Sequence, residues 1–131
     1  MKPICEIDSY GNKYWWLNNT LHREDGPAVE LADGTKKWYK NGKYHREDGP
    51  AYESFGNKYW YLNGLLHRED GPAYEGSSGT KEWFINNLCH REDGPAIEHL
   101  NGGKYWYYHG KQIDCKDHQE FLRMIKLMVF L

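Results

Sequence analysis

Long aliphatic runs are missing from this chain. Only 39% of its 131 residues are hydrophobic, yet 16% are aromatic. Burial must therefore come from Trp and Tyr, which bring large areas and a polar tip. That excludes a deep Leu/Ile/Val core and points to a thin architecture within one domain. An excess of one charge is also lacking: 17 basic residues face 19 acidic ones, for a net charge of -2. No long-range attraction to duplex nucleic acid or anionic lipid is expected from that balance. Cysteine is scarce and scattered, at Cys5, Cys89 and Cys115 with no CxxC pair. This argues against a zinc ribbon or a disulfide framework, and for reduced thiols in a cytoplasmic setting. The first residues lack the apolar run of a signal peptide. The apolar C-terminal stretch is interrupted by Arg123 and Lys126 and is too short to span a bilayer. No membrane association is expected.

What the chain does have is one heptapeptide, His-Arg-Glu-Asp-Gly-Pro-Ala, four times without change, beginning at His22, His45, His67 and His90. The spacings are 23, 22 and 23 residues, a period that marks a repeat architecture. Other positions recur with it. Lys13, Lys36, Lys58, Lys81 and Lys104 each stand two residues before a tryptophan: Trp15, Trp38, Trp60, Trp83 and Trp106. An aromatic follows each: Trp16, Tyr39, Tyr61, Phe84 and Tyr107. A turn pair begins three residues past each tryptophan, from Asn18-Asn19 through Asn41-Gly42, Asn63-Gly64 and Asn86-Asn87 to His109-Gly110. Glu30, Glu53, Glu75 and Glu98 sit two residues past each motif alanine.

Taken in order, residues 1–21 form an irregular first unit. Cys5-Glu6-Ile7 is expected as a strand, Tyr10-Gly11-Asn12 as a turn and residues 13–17 as an aromatic strand. Asn tolerates the positive φ that a tight hairpin requires, so the Asn-Gly and Asn-Asn pairs close hairpins. Residues 35–40 read as one strand. Glu-Asp-Gly-Pro reads as a further turn, with Gly26, Gly49, Gly71 and Gly94 freeing φ and Pro fixing it. Two or three short strands per unit follow. Unit length varies at Phe55-Gly56-Asn57 and at Gly76-Ser77-Ser78-Gly79, which marks that turn as solvent-facing. After Ile113 the pattern stops. Asp117 and Glu120 have capping-box spacing, and Phe121, Leu122, Ile125, Met128 and Val129 recur at helical spacing. Residues 1–113 are thus five β-hairpin units of about 23 residues, and residues 114–131 carry an amphipathic helix that covers the last unit. The apolar end, Val129-Phe130-Leu131, exceeds what one buried face requires, which leaves partner binding or a membrane-surface role open for this helix.

Neighbouring strand residues point to opposite faces, so the five tryptophans and the five following aromatics form two stripes. One is expected in the core; the other is either packing or a stacking platform. His-Arg-Glu-Asp contains a base, a phosphate ligand and two carboxylates. An active site, however, needs one asymmetric constellation, and this set occurs four times. It is read as a charge network between units, with His22, His45, His67 and His90 structural. Glu30 and Lys36 are expected to pair across a hairpin, worth under about 1 kcal/mol when exposed. No residue is assigned as catalytic or metal-ligating, and no cofactor is expected.

The stretch Trp-Tyr-Lys-Asn-Gly-Lys-Tyr-His-Arg-Glu-Asp-Gly, residues 38–49, resembles the MORN repeat, and the resemblance covers roughly residues 5–113. It implies an all-β fold: a single-layered, solenoid-like run of β-hairpins, used mostly in scaffolds and self-association modules. The chain departs from that pattern in carrying Arg-Glu-Asp-Gly-Pro where a shorter Gly-x-Gly is usual, and in lacking a leading Tyr-x-Gly. It looks closer to the His-Arg-Glu-Asp-Gly-Pro-Ala repeat proteins of bacteriophages and giant viruses, many of which end in a helix like residues 119–131. That resemblance implies a viral accessory protein in the cytoplasm of an infected cell.

The first functional expectation is a non-enzymatic binding module that engages and inhibits a host protein, for example a defence enzyme, through its aromatic stripe. The second is a sponge for a nucleotide immune signal, with aromatics stacking on bases and Arg46, Arg68, Lys58 or Lys81 holding phosphates. A structural scaffold and a His-based phosphoesterase complete the set, the last as the weakest reading. Homo-oligomerisation is expected, if at all, through the C-terminal helix or the open repeat edge.

Overall fold

The computed structural model describes residues 1–129; Phe130 and Leu131, the apolar end of the expected helix, lie outside the described residues. The first strands are β1 (Ile4–Ile7), β2 (Lys13–Leu17), β3 (Thr20–Leu21), β4 (Val29–Glu30), β5 (Lys36–Lys37), β6 (Tyr39–Lys40) and β7 (Lys43–Tyr44). The middle of the chain gives β8 (Tyr52–Ser54), β9 (Asn57–Tyr59), β10 (Tyr61–Leu62), β11 (Leu65–Leu66), β12 (Tyr74–Glu75) and β13 (Lys81–Glu82). The last are β14 (Phe84–Ile85), β15 (Leu88–Cys89), β16 (Ile97–Glu98), β17 (Lys104–Tyr108) and β18 (Lys111–Ile113), before the helix α1 (His118–Val129). The protein is mostly β-hairpins in antiparallel sheets with one short C-terminal helix.

A twelve-stranded sheet runs β1-β2-β4-β5-β8-β9-β12-β13-β16-β17-β18, with β3 also on β2, while β6-β7, β10-β11 and β14-β15 are separate two-stranded hairpins. Every pairing is antiparallel, and the elements in extended contact are ladder neighbours. The turn pairs account for this order. Asn41 and Gly42 have φ of 52° and 78°, Asn86 and Asn87 of 47° and 69°, and His109 and Gly110 of 48° and 83°. Two consecutive positive φ values give the turn whose twist matches a hairpin.

Two details differ from the sequence reading. The expected strand at residues 35–40 is split by Trp38, as are its equivalents by Trp60 and Trp83, so the middle units carry four short strands. The tryptophan backbone leaves its ladder to bond elsewhere: Trp38 N–H donates to the Ala51 carbonyl, and the Trp38 carbonyl accepts from His45 N–H at 3.0 Å. The second correction concerns the motif glycines. Gly26, Gly49, Gly71 and Gly94 are not among the residues of positive φ. What a side chain there would meet is the motif arginine: an added Cβ would lie 2.7 Å from the Arg23 guanidinium carbon at Gly26, and 2.8 Å from that of Arg46 at Gly49. These glycines provide room.

Burial follows the same geometry. Ala28, Ala51, Ala73 and Ala96 are fully buried. A buried cluster lies at the C-terminal end, where Ile113, Phe121 and Ile125 pack with Trp106, Tyr108 and Leu122. Asp117 caps α1 by accepting the Glu120 amide at 2.9 Å, and Glu120 reaches back to the Lys116 amide at 3.4 Å. The helix lies over Trp106, whose indole N–H donates to His118 Nδ1 at 3.3 Å. Trp106 is the one recurring tryptophan followed by no His-Arg-Glu-Asp, and α1 takes the place that the motif arginine has over the others.

Candidate interaction surface

Alternation along the strands gives the sheet two chemically distinct faces. On the first stand the recurring tryptophans, and the heptapeptide loop folds over each. The guanidinium carbons of Arg23, Arg46, Arg68 and Arg91 lie 3.9, 3.9, 4.0 and 3.8 Å from the ring centroids of Trp15, Trp38, Trp60 and Trp83. Each Arg Nε donates to the Asp two residues on, at 3.0, 2.9, 3.2 and 2.8 Å. Each Nη1 donates to the Pro carbonyl four residues on, at 3.0 to 3.1 Å. A carboxylate oxygen of Glu30, Glu53, Glu75 or Glu98 lies 3.3 to 4.0 Å from the same Nη1. Stacking and charge-assisted hydrogen bonds thus hold each loop on its tryptophan. The Arg91 hydrogen bond keeps Asp93 below its usual carboxylate value.

The network therefore closes mainly within a unit, rather than between units as expected. Glu30 does stand opposite Lys36 in register, and also opposite Lys13, but its carboxylate is taken by Arg23. The connection between units runs through histidine. The Nδ1 atoms of His22, His45, His67 and His90 accept the turn amides of Asn41, Asn63, Asn86 and His109 at 2.8 to 3.1 Å. Clefts of about 690 and 660 Å³ lie between successive loops, one between the loops of Arg46 and Arg68 above Trp60 and Leu62, the next above Trp83 and Ile85.

The second face carries tyrosine. Reading the register across the large sheet gives one row: Tyr14, Val29, Lys37, Tyr52, Tyr59, Tyr74, Glu82, Ile97, Tyr105. Beside it, on the same face, lie Trp16, Tyr39, Tyr61, Phe84 and Tyr107, each two residues along the chain from a member of the row. Six tyrosines form a continuous ring network. Tyr44 has its centroid 4.5 Å from Tyr39, 4.9 Å from Tyr61 and 5.6 Å from Tyr52; Tyr59 lies 5.2 Å from Tyr52, 4.8 Å from Tyr74 and 6.4 Å from Tyr61. Offset contacts of this kind contribute about 0.5 to 1.5 kcal/mol each. Burial, with the neighbouring phenols, raises the hydroxyl pKa of Tyr44, Tyr59 and Tyr61. These rings shield one another sideways and remain half-buried.

The sequence-derived candidates divide between the faces. Trp16, Tyr39, Tyr61, Phe84 and Tyr107 share the tyrosine face. Arg46 and Arg68 are held in their loops on the opposite face, where Lys58 and Lys81 are exposed opposite Glu75. The sheet itself separates the stacking residues from the proposed phosphate ligands. Tyr44, Tyr52, Tyr59 and Tyr74 are not among those candidates; two-residue alternation from Tyr61 reaches Tyr59, and strand register sets Tyr52 and Tyr74 on either side of it. Among the described residues, no three His, Cys, Asp or Glu side chains are grouped to hold a metal, and no helix is long and apolar enough to cross a membrane. The chain matches no family model, no curated protein and no solved structure.

Proposed function

We propose that this chain is a non-enzymatic protein-binding module: a MORN-like run of β-hairpin units whose tyrosine face is the recognition surface. The observation that carries this reading is the joined network of Tyr39, Tyr44, Tyr52, Tyr59, Tyr61 and Tyr74 on one sheet face, its rings only half-buried. Tyrosine presents a large, stiff, amphipathic ring at low entropic cost, which is why it dominates binding hot spots. The heptapeptides have a separate task in this account. Their His, Arg and Asp side chains are engaged in holding loops to tryptophans and units to one another, which speaks against the phosphoesterase reading. The candidate stacking residues Tyr39 and Tyr61 and the candidate phosphate ligands Lys58, Lys81, Arg46 and Arg68 lie on opposite faces, which speaks against a nucleotide held by both sets. The resemblance to viral repeat proteins makes a host protein the natural foreign partner in the cytoplasm of an infected cell.

The test is native mass spectrometry on two variants that each alter one face. Tyr61→Arg is expected to abolish complexes of the chain, with itself or with a host protein, while Lys58→Glu on the opposite face leaves them. The reverse pattern contradicts the reading.

A further inference from the structure

The tyrosine row reads almost the same from either end. Tyr59 stands at its centre. One strand away on either side are Tyr52 and Tyr74; two strands away, Lys37 and Glu82; three, Val29 and Ile97; four, Tyr14 and Tyr105. The only pair that differs in kind is the pair of opposite charge.

We propose that the partner of the tyrosine face is a second copy of this chain, packed face to face about a two-fold axis that runs along β9 through Tyr59. This rests on the reading of that face as a recognition surface and names its occupant. A two-fold axis in the plane between two sheets, directed along the strands, places each strand over its mirror position in the row. Lys37 of each copy then meets Glu82 of the other and Tyr52 meets Tyr74, while Val29, buried within its own copy, lies beneath the contact. A two-fold axis directed across the strands would instead set Lys37 on Lys37 and Glu82 on Glu82. Like charges juxtaposed in an interface are strongly unfavourable, so the charges choose the axis. An isologous interface requires this self-complementarity, in which residue i meets j and j meets i.

Neither charge has an ion-pair partner within one copy among the described residues. They are four strands apart, about 19 Å at the usual strand spacing. Lys37 Nζ lies 5.3 Å from the Tyr52 ring, and Glu82 is half-buried, its carboxyl raised by that burial. The stripe beside the row obeys the same symmetry: Tyr61 falls on the axis, Tyr39 over Phe84, and Trp16 over Tyr107. Nine strands spanning about 40 Å, with the row and the stripe beside it covering about 10 Å along them, offer on the order of 400 Å² per copy. That is about half of the roughly 800 Å² per partner of a standard stable interface, in the range of a reversible dimer.

Sedimentation velocity and native mass spectrometry of the full chain test this. The wild type is expected to be a dimer at micromolar concentration. Lys37→Glu alone and Glu82→Lys alone each place two like-charge contacts in the interface and are expected to weaken dimerisation at least tenfold, with unchanged circular dichroism. An equimolar mixture of the two single variants restores both opposite-charge contacts and is expected to form the mixed dimer; the double variant K37E/E82K is expected to dimerise alone. A wild type that stays monomeric at 100 µM, single variants that dimerise undiminished, or a mixture that fails to form the mixed dimer would each overturn the proposal. The broader reading fails separately, when Tyr61→Arg leaves a complex with a foreign protein intact.

Discussion

The Nδ1 atom of His45 accepts the backbone amide hydrogen of Asn63 across 3.0 Å, from one hairpin unit to the next. An accepting Nδ1 carries no proton, so this contact fixes the neutral tautomer with its hydrogen on Nε2, which lies 3.7 Å from Glu47. The same bond recurs at His22, His67 and His90. A residue type that invites a catalytic reading here satisfies a turn amide.

Loss of this bond leaves the Asn63 amide without its side-chain partner. His45→Ala is expected to lower stability by about 0.5 to 1.5 kcal/mol, read as the midpoint shift in urea unfolding. Glu47→Ala, at a side chain 84% exposed, is expected to stay within about 0.5 kcal/mol.

Acid acts on the same bond at His90. Burial, then the charge of His109, holds its pKa below the ordinary 6.5, against a weaker opposing effect of Glu92. The unfolded chain therefore takes up this proton more readily than the folded one. The contribution of His90 is complete above pH 6.5 and is lost as pH falls from there toward the depressed folded value. Thermal melts from pH 7.5 to 5 are expected to show a falling midpoint, and His90→Asn a shallower slope over that window.

Gly49 tests whether the motif glycine provides room or conformational freedom. A methyl group there would stand 2.8 Å from the Arg46 guanidinium carbon. Gly49→Ala is expected to displace Arg46 from Trp38, costing about 1 to 3 kcal/mol and changing tryptophan fluorescence. An unperturbed spectrum and stability would show that the loop has slack.

Phe55 holds a φ of 49° while 75% exposed, in a two-residue turn with Gly56. An aromatic residue is poorly suited to that region, whereas Asn is at home there. Phe55→Asn is expected to stabilise the protein by about 0.5 to 1 kcal/mol, measured as a rise in melting temperature.

Much of the hairpin framework was legible in the sequence, because turn chemistry is local: Asn41-Gly42 and Asn63-Gly64 specify their turns without help from distant residues. The helix was legible for the same reason, through Asp117, Glu120 and the spacing of Phe121 and Ile125. The arginine clamps were not. Nothing in the order His-Arg-Glu-Asp says that Arg46 crosses Gly49 to lie on Trp38, since that contact depends on how the loop folds back. The histidine bonds were hidden likewise, for they join residues 18 or 19 positions apart. The tyrosine face was half visible. The recurring stripe was found, but Tyr52 and Tyr74 join it only through strand register, which pairs positions outside the identical motif.

Hydroxyl-radical footprinting across a concentration series tests the central claim most directly, because it reads both faces in one experiment. The account predicts that Tyr52, Tyr59 and Tyr74 become protected from oxidation between nanomolar and high micromolar protein, while Trp38, Trp60 and Trp83 on the opposite face and the exposed Tyr10 keep their rates. Tyrosine-face rates that do not change with concentration, or protection that appears on the tryptophan face instead, would contradict it.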